Sequence, residues 1–383
     1  MNYRSLDSLM DAKDHFNNQT NPRKLMSGII SISLAIVSIV IFSCVKYEDE
    51  KTFKGSGTKN DPYKIGTVEE LARFAELVNN GNLLYYDKFY KLTKNINLDI
   101  APYNSGNGWV PIGYDVYDYP FRGSFDGNGK TISGLFINNS EHGCLGLFGC
   151  FNGSEIKNLG VEGTIKGRSI IGGVAGCILN GGSIINCYSN VTVIGEENVG
   201  GITGYLSGSI VNCYSVGEIN GSRYVGGIAG SMGADNNFKV INCYVTGAVF
   251  GGFVVGGVIG RIHSNSNIIT GCAALNPSVM HPLRSDSFLG RIIGNNYGGT
   301  AEMVSNNVAW ENMVCPGLPS NIYLSSNGDD ISTTQAKMQS TYTNLGWKFN
   351  NNADNPWRWG DGSYTLPVLY WQTNNPSMPS HLQ

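Results

Sequence analysis

Short apolar stretches rich in Val, Ile and Tyr, broken by Gly, Ser and Asn, run through most of this 383-residue chain. They have the length and punctuation of strands and turns. From Gly172 to Cys272 they recur as a repeat. The phrases Gly172-Gly173-Val174-Ala175-Gly176, Gly200-Gly201-Ile202-Thr203-Gly204, Gly226-Gly227-Ile228-Ala229-Gly230 and Gly256-Gly257-Val258-Ile259-Gly260 each precede a polar stretch and a triplet. The triplets are Asn186-Cys187-Tyr188, Asn212-Cys213-Tyr214, Asn242-Cys243-Tyr244 and the altered Gly271-Cys272-Ala273. The Gly-Gly starts lie 28, 26 and 30 residues apart (200−172, 226−200, 256−226). That period predicts a stacked-repeat protein. No repeat shows helical spacing, the Leu ladder of leucine-rich repeats is missing, and propeller blades would need about 40–45 residues. The pattern therefore predicts an all-β, parallel β-helix. Its coils would stack about 4.8 Å apart, and its glycines would serve left-handed corners and close packing across the core.

The pattern changes at both ends. Thr67 and Glu70 form a capping box, Leu71, Phe74, Ala75 and Val78 line one face, and Gly81 stops the helix. An amphipathic helix here most simply covers the open end of the first coil. Beyond Gly299 the repeat fades; Thr333–Leu345 reads as a short helix followed by Trp347, Trp357, Trp359 and Trp371, a Trp-rich C-terminal cap. The expected organisation is a signal peptide with lipobox over 1–44, a tether over 45–54, and the capping helix with the first coils over 55–160. Gly-rich coils follow over 161–299 and an irregular cap over 300–383. The turn at Asp126-Gly127-Asn128-Gly129 reads as corner chemistry, with Asp126 a turn former.

Composition narrows the class. Charge is 14% of residues, glycine 51 residues, and net charge −3 without a basic run, which excludes the footprint of a nucleic-acid partner. Ile29–Ser43 is a nearly unbroken apolar run after Arg23 and Lys24, shorter than the ~20 residues that span a bilayer. Ile41-Phe42-Ser43-Cys44 resembles a bacterial lipobox, in which the Cys44 thiol is acylated and anchors the chain to membrane. Lys46 with Glu48, Asp49 and Glu50 resembles the surface-export tag of Bacteroidetes-type lipoproteins. The expected location is the bacterial outer membrane, at the cell surface; the alternative is a short signal anchor facing periplasm or exterior.

Cys187, Cys213, Cys243 and Cys272 share one phase of successive repeats, so they are expected to stack inward as a ladder of buried thiols; the alternative for an even cysteine count in an exported chain is disulfides, with a Cys144–Cys150 pair left open. No CxxC pair occurs and the histidines are dispersed, so no metal and no cofactor is assigned.

Taken together, Gly55-Ser56-Gly57-Thr58 with Asp61-Pro62-Tyr63, Gly108-Trp109-Val110-Pro111-Ile112-Gly113, the Phe125–Gly129 turn, the Gly-Gly-Ile/Val-x-Gly phrases and Leu366–Trp371 resemble GLUG-repeat surface proteins. The resemblance spans roughly 55–372. It implies a right-handed parallel β-helix on the bacterial surface, often in adhesins, and it transfers no catalytic motif.

The leading functional expectation is a non-catalytic adhesin or glycan- or protein-binding module, because a solenoid offers an extended face rather than a deep cleft. Its candidate contact loop is Tyr114, Asp115, Tyr117, Asp118 and Tyr119, where tyrosines could stack on sugar rings. A polysaccharide lyase or hydrolase is the alternative. Glu162, Glu196, Glu197, Glu218 and Asp235 do not recur in phase, and Asp329, Asp330 and Asp361 lack a full calcium ligand series. A structural surface spacer is the third expectation.

Overall fold

The computed structural model describes residues 52–114, 119–234, 237–264, 266–282, 288–296, 303–316 and 326–383. Cys44 with its lipobox, Asp115, Tyr117, Asp118 and Asp235 lie outside the described residues. From Phe53 to Gln383 the chain forms one unit.

That unit is a parallel β-helix. One coil runs through strands Glu197–Gly200, Thr203–Leu206, Ser209–Val211, Tyr214–Ser215 and Ile219–Asn220. Each strand pairs in parallel with its equivalents a coil away, so Tyr188, Tyr214 and Tyr244 align, as do Val193, Ile219 and Val249. In-register stacking places like beside like, and the apolar column of Ile184, Ile210, Val240 and Ile269 is fully buried. Strand pairing continues past the Gly-rich stretch, through Val308–Trp310 to Asp329–Ile331.

The first helix, α1 (Val68–Asn79), closes the N-terminal end. Thr67 Oγ1 accepts from the Glu70 amide at 3.2 Å, while the Glu70 carboxylate accepts from the Gly66 amide at 2.6 Å, one residue before the cap. Its apolar face rests on rings of the first coils: Phe74 stacks on Tyr90 at 3.9 Å and meets Phe121 edge-on at 5.2 Å. Burying a ring of this size contributes roughly 1.5–3 kcal/mol.

The repeat glycines behave differently from the sequence-based expectation. No glycine in the four Gly-Gly phrases has a positive φ. The left-handed corners belong instead to Asn158, Asn186, Asn212 and Asn242, at φ 52, 52, 53 and 54°, with Gly271 taking the next at 68°. Asparagine tolerates this region because its short amide bonds locally, so the corner is occupied by a side chain that also links coils. The Gly-Gly glycines serve close approach alone. A Cβ on Gly201 would sit 2.2 Å from Ser215 Oγ, and one on Gly204 2.3 Å from the Ile171 amide nitrogen. Hence the chain turns inward at Gly200-Gly201 against the far wall, then returns with Thr203–Leu206 lying directly on the backbone of Glu197–Gly200 and its neighbour below.

This infolding leaves an outer notch between the two strands. It is filled by left-handed residues Cys144, Ile170, Asn198 and Tyr224 on one side and Cys177, Tyr205, Ser231 and Arg261 on the other. Asn198 Oδ1 accepts from Ser231 Oγ at 2.5 Å, and Arg261 lies 4.8 Å over the Tyr224 ring.

After Ile331 the chain has two roles. Residues 333–345, helical over Thr333–Ala336 and Gln339–Asn344 rather than continuously, bury Ala336 and Tyr342 at the top of the stack. Residues 347–383 then run back along the flank of the coils as a small antiparallel sheet, Phe349–Asn352, Asn355–Trp359 and Pro367–Leu369.

Candidate functional site

The Asn-Cys-Tyr triplet builds the flank on which this C-terminal strap lies. Its asparagines form a ladder: Nδ2 of Asn158, Asn186, Asn212 and Asn242 each donates to the side-chain oxygen one coil below, at 3.1, 3.4, 3.2 and 3.3 Å. The lowest acceptor is the Asp126 carboxylate, which also caps its own turn by accepting from the Asn128 amide at 2.8 Å. A carboxylate accepts only, so it ends the chain of donors cleanly.

Cys187, Cys213, Cys243 and Cys272 point inward and are fully buried. Each Sγ donates to the carbonyl two residues earlier, at 3.2, 3.3, 3.3 and 3.6 Å. Burial pushes the Cys213 and Cys243 thiols well above their ordinary range, so they stay neutral and non-nucleophilic.

The tyrosines point outward and stack, Tyr188 on Tyr214 at 5.3 Å and Tyr214 on Tyr244 at 4.7 Å. The strap covers them. Tyr244 donates to Pro367 O at 2.8 Å, Gln372 Nε2 donates to the Tyr214 hydroxyl at 2.7 Å, and Trp371 lies on Tyr188 at 5.7 Å. Trp347 donates to Gly271 O at 2.7 Å. The altered triplet Gly271-Cys272-Ala273 is therefore where the strap crosses onto the flank. The ladder's tyrosine is absent at the coil that Trp347 occupies.

Where the strap ends, a groove of about 690 Å³ opens between coil face and tail. Thr131, Glu162, Tyr188 and Asn190 line its coil side, with Glu218 and Thr246 further along; residues 371–377 and 379–381 supply the opposite wall. Glu162 and Asn190 are in-register neighbours. Tyr188 donates to Glu162 Oε1 at 2.7 Å and lies 3.1 Å from Thr131 Oγ1, an arrangement that presents hydroxyls and a carboxylate edge in a row. The tail is held in place. Arg358 Nη2 donates to Gln372 O and Asn375 Oδ1, both at 3.0 Å, and Asn375 in turn donates to Asp361 O at 2.9 Å. His381 Nε2 lies 2.7 Å from Leu275 O, and burial lowers its pKa, so the neutral ring donates there. A wall fixed this way loses little entropy on binding. Among the described residues no Lys or Arg lines the groove.

The residues of the expected contact loop that are described do not reach this groove. Tyr114 is half-buried, edge-on to His142 at 5.5 Å, and the Tyr119 ring covers Gly81. Sequence alone places Trp371 in the C-terminal cap, weighs Glu162 only as a lyase or hydrolase carboxylate, and gives Gln372 no role. The available signal was the outward phase of the Tyr positions, which requires something apolar to cover them.

No family model matches the chain. It is 32% identical over 163 residues, 40% of its length, to Halomucin of Haloquadratum walsbyi. It is 32% identical over 151 residues, 38% of its length, to a provisionally named Gly-rich membrane protein of Evansella cellulosilytica. The matched stretches span 2% and 17% of those relatives. A crystal structure from Bacteroides ovatus, provisionally named an immunoglobulin A1 protease, superposes with a TM-score of 0.62 at 22% identity, covering 84% of this chain and 96% of that one. At that identity the likeness establishes a shared parallel β-helix fold.

Proposed function

We propose that the chain is a cell-surface β-helix of the GLUG-repeat kind, anchored by lipid on Cys44, that binds a neutral glycan without catalysis in the groove between coil face and strap. The groove carries the reading: hydroxyl and amide groups in coil register, carboxylates of Glu162 and Glu218, the Trp371 edge, and a pinned far wall. Hydroxyls of a sugar match such a row, and an aromatic ring matches its apolar face. No helix among the described residues is long and apolar enough to cross a membrane, and the anchor assigned to Cys44 supplies attachment in this proposal.

The lyase reading fares worse on charge. Its substrates are polyanionic uronate chains, whereas the described residues of the groove include two carboxylates and no Lys or Arg. Like charges at close range disfavour such a ligand. The protease name of the Bacteroides ovatus neighbour stays with that protein.

The test is glycan-array binding by the purified chain, followed by Trp371→Ala and Glu162→Gln. We expect retention of neutral glycans and a loss of at least about tenfold in both variants, about 1.4 kcal/mol. Product release from pectin, alginate or an immunoglobulin would replace this reading with a catalytic one. An absence of glycan, mucin and matrix binding would remove it.

A further inference from the structure

The Cys187–Cys272 ladder accounts for only half of the described cysteines. Three others meet in the outer notch. Cys177 Sγ lies 2.9 Å from Cys150 Sγ and 3.7 Å from Cys144 Sγ, and all three sulfurs fall within 4.8 Å of one another. Cys150 and Cys177 are in-register partners on adjacent strands, Phe148–Phe151 and Ala175–Ile178. Cys144 arrives from the opposite strand run at φ 57°, a backbone region that costs a non-glycine residue energy.

The repeat does not demand this convergence. In later coils the same notch positions hold Ile170 with Tyr205, Asn198 with Ser231, and Tyr224 with Arg261. Nor do Cys150 and Cys177 follow the ladder's pattern, in which each thiol faces a carbonyl: their sulfurs face each other. All three residues are at most 2% exposed and form a cluster of their own, walled by Ile170, Leu179 and Tyr205. Among the described residues this is the one grouping of three or more side chains placed to ligate a metal.

We propose that Cys144, Cys150 and Cys177 bind one soft monovalent metal ion, Cu(I), through three sulfurs. Soft sulfur donors select Cu(I) and zinc. Zinc takes four ligands in closed sites, and among the described residues no fourth His, Cys, Asp or Glu joins the group. Cu(I) accepts three-coordinate sulfur. Each thiol that coordinates as thiolate releases its proton to solvent, and copper remains Cu(I), so no oxidant takes part. The ion would join two neighbouring coils and the left-handed segment that carries Cys144 at the first turns of the stack.

The full chain, reduced and handled without oxygen, is titrated with Cu(I) acetonitrile complex against a chromogenic Cu(I) chelator. Cysteines are then alkylated and mapped by mass spectrometry. One equivalent should bind, slowing the alkylation of Cys144, Cys150 and Cys177 relative to the metal-free chain while leaving that of Cys213 unchanged. Cys144→Ser should weaken retention at least tenfold and Cys213→Ser should not. The wild-type protection map carries the test if either variant folds poorly. Failure of the reduced wild-type chain to hold one Cu(I) overturns the proposal. So does tighter retention of Zn(II) than Cu(I), or a Cys150–Cys177 disulfide in protein isolated without reductant.

Discussion

Asn212 donates its Nδ2 hydrogen to Asn186 Oδ1 at 3.2 Å, one coil below, and both residues sit in the left-handed region, at φ 53 and 52°. One residue type thus solves the corner and the linkage between coils. Replacing Asn212 by Ala should cost about 3–4 kcal/mol, from roughly 1–2 for an L-residue at that φ and about 1 for each of the two lost bonds. Asn212→Gly keeps the corner and loses the same two bonds, so it should cost about 2 kcal/mol. Urea midpoints of the two variants check the order. Equal losses would mean that the φ requirement contributes nothing.

Gly204 lies where two strands meet backbone to backbone, with the Ile171 amide nitrogen 2.3 Å from the site of an added Cβ. Backbone cannot swing aside as a side chain does, so Gly204→Ala should destabilise by at least about 1–3 kcal/mol, the usual cost of overpacking. At Gly143 the nearest atom is the Ser169 Oγ, at 3.1 Å. Gly143→Ala should cost less than about 1 kcal/mol, because that hydroxyl can rotate away where backbone cannot. Thermal melts of both variants compare them directly.

Tyr244 joins the coils to the strap through Pro367 O at 2.8 Å and the Tyr364 hydroxyl at 3.1 Å. Tyr244→Phe should cost about 1–3 kcal/mol by leaving buried groups unpaired. Tyr244→Ala should cost about 3–5 kcal/mol for the lost ring. It should also release the strap, read as faster proteolytic cleavage between 347 and 383 with the coils intact. A protease pattern unchanged from wild type would argue that the tryptophans alone hold the strap.

The strap interface also predicts alkaline sensitivity. Burial pushes Tyr364 up to about 12, and it drives Tyr214, Tyr244 and Tyr342 well above the ordinary tyrosine value of 10. Above pH 10 the unfolded chain loses these protons while the folded chain keeps them, so stability falls as pH rises. The contribution is complete below pH 10 and is lost as pH climbs through the folded-state values, the first near 12. Ionisation of these four buried tyrosines, seen as the late component of the absorbance change, should coincide with unfolding rather than precede it.

The repeat in the sequence determined that the chain stacks, with which period, and in which phase Cys and Tyr alternate. A parallel ladder needs like residues at like positions, so its register is written in the order of Asn186-Cys187-Tyr188 and its copies. The amphipathic face of α1 was legible for the same reason: burial of Phe74 and Val78 follows from local spacing. Tertiary structure alone decided what each residue of the triplet and of the Gly-Gly phrase does. Gly201 and Gly204 look like corner glycines in isolation. Only the infolded path of the coil shows that they meet backbone and Ser215, while the corner passes to Asn212. The groove was equally hidden, because Glu162, Tyr188 and Trp371 are brought together by a strap that returns from the far end of the chain. The same holds for Cys144, Cys150 and Cys177: their spacing matches no ligand motif, and their sulfurs meet because the infolding brings two separate strand runs face to face.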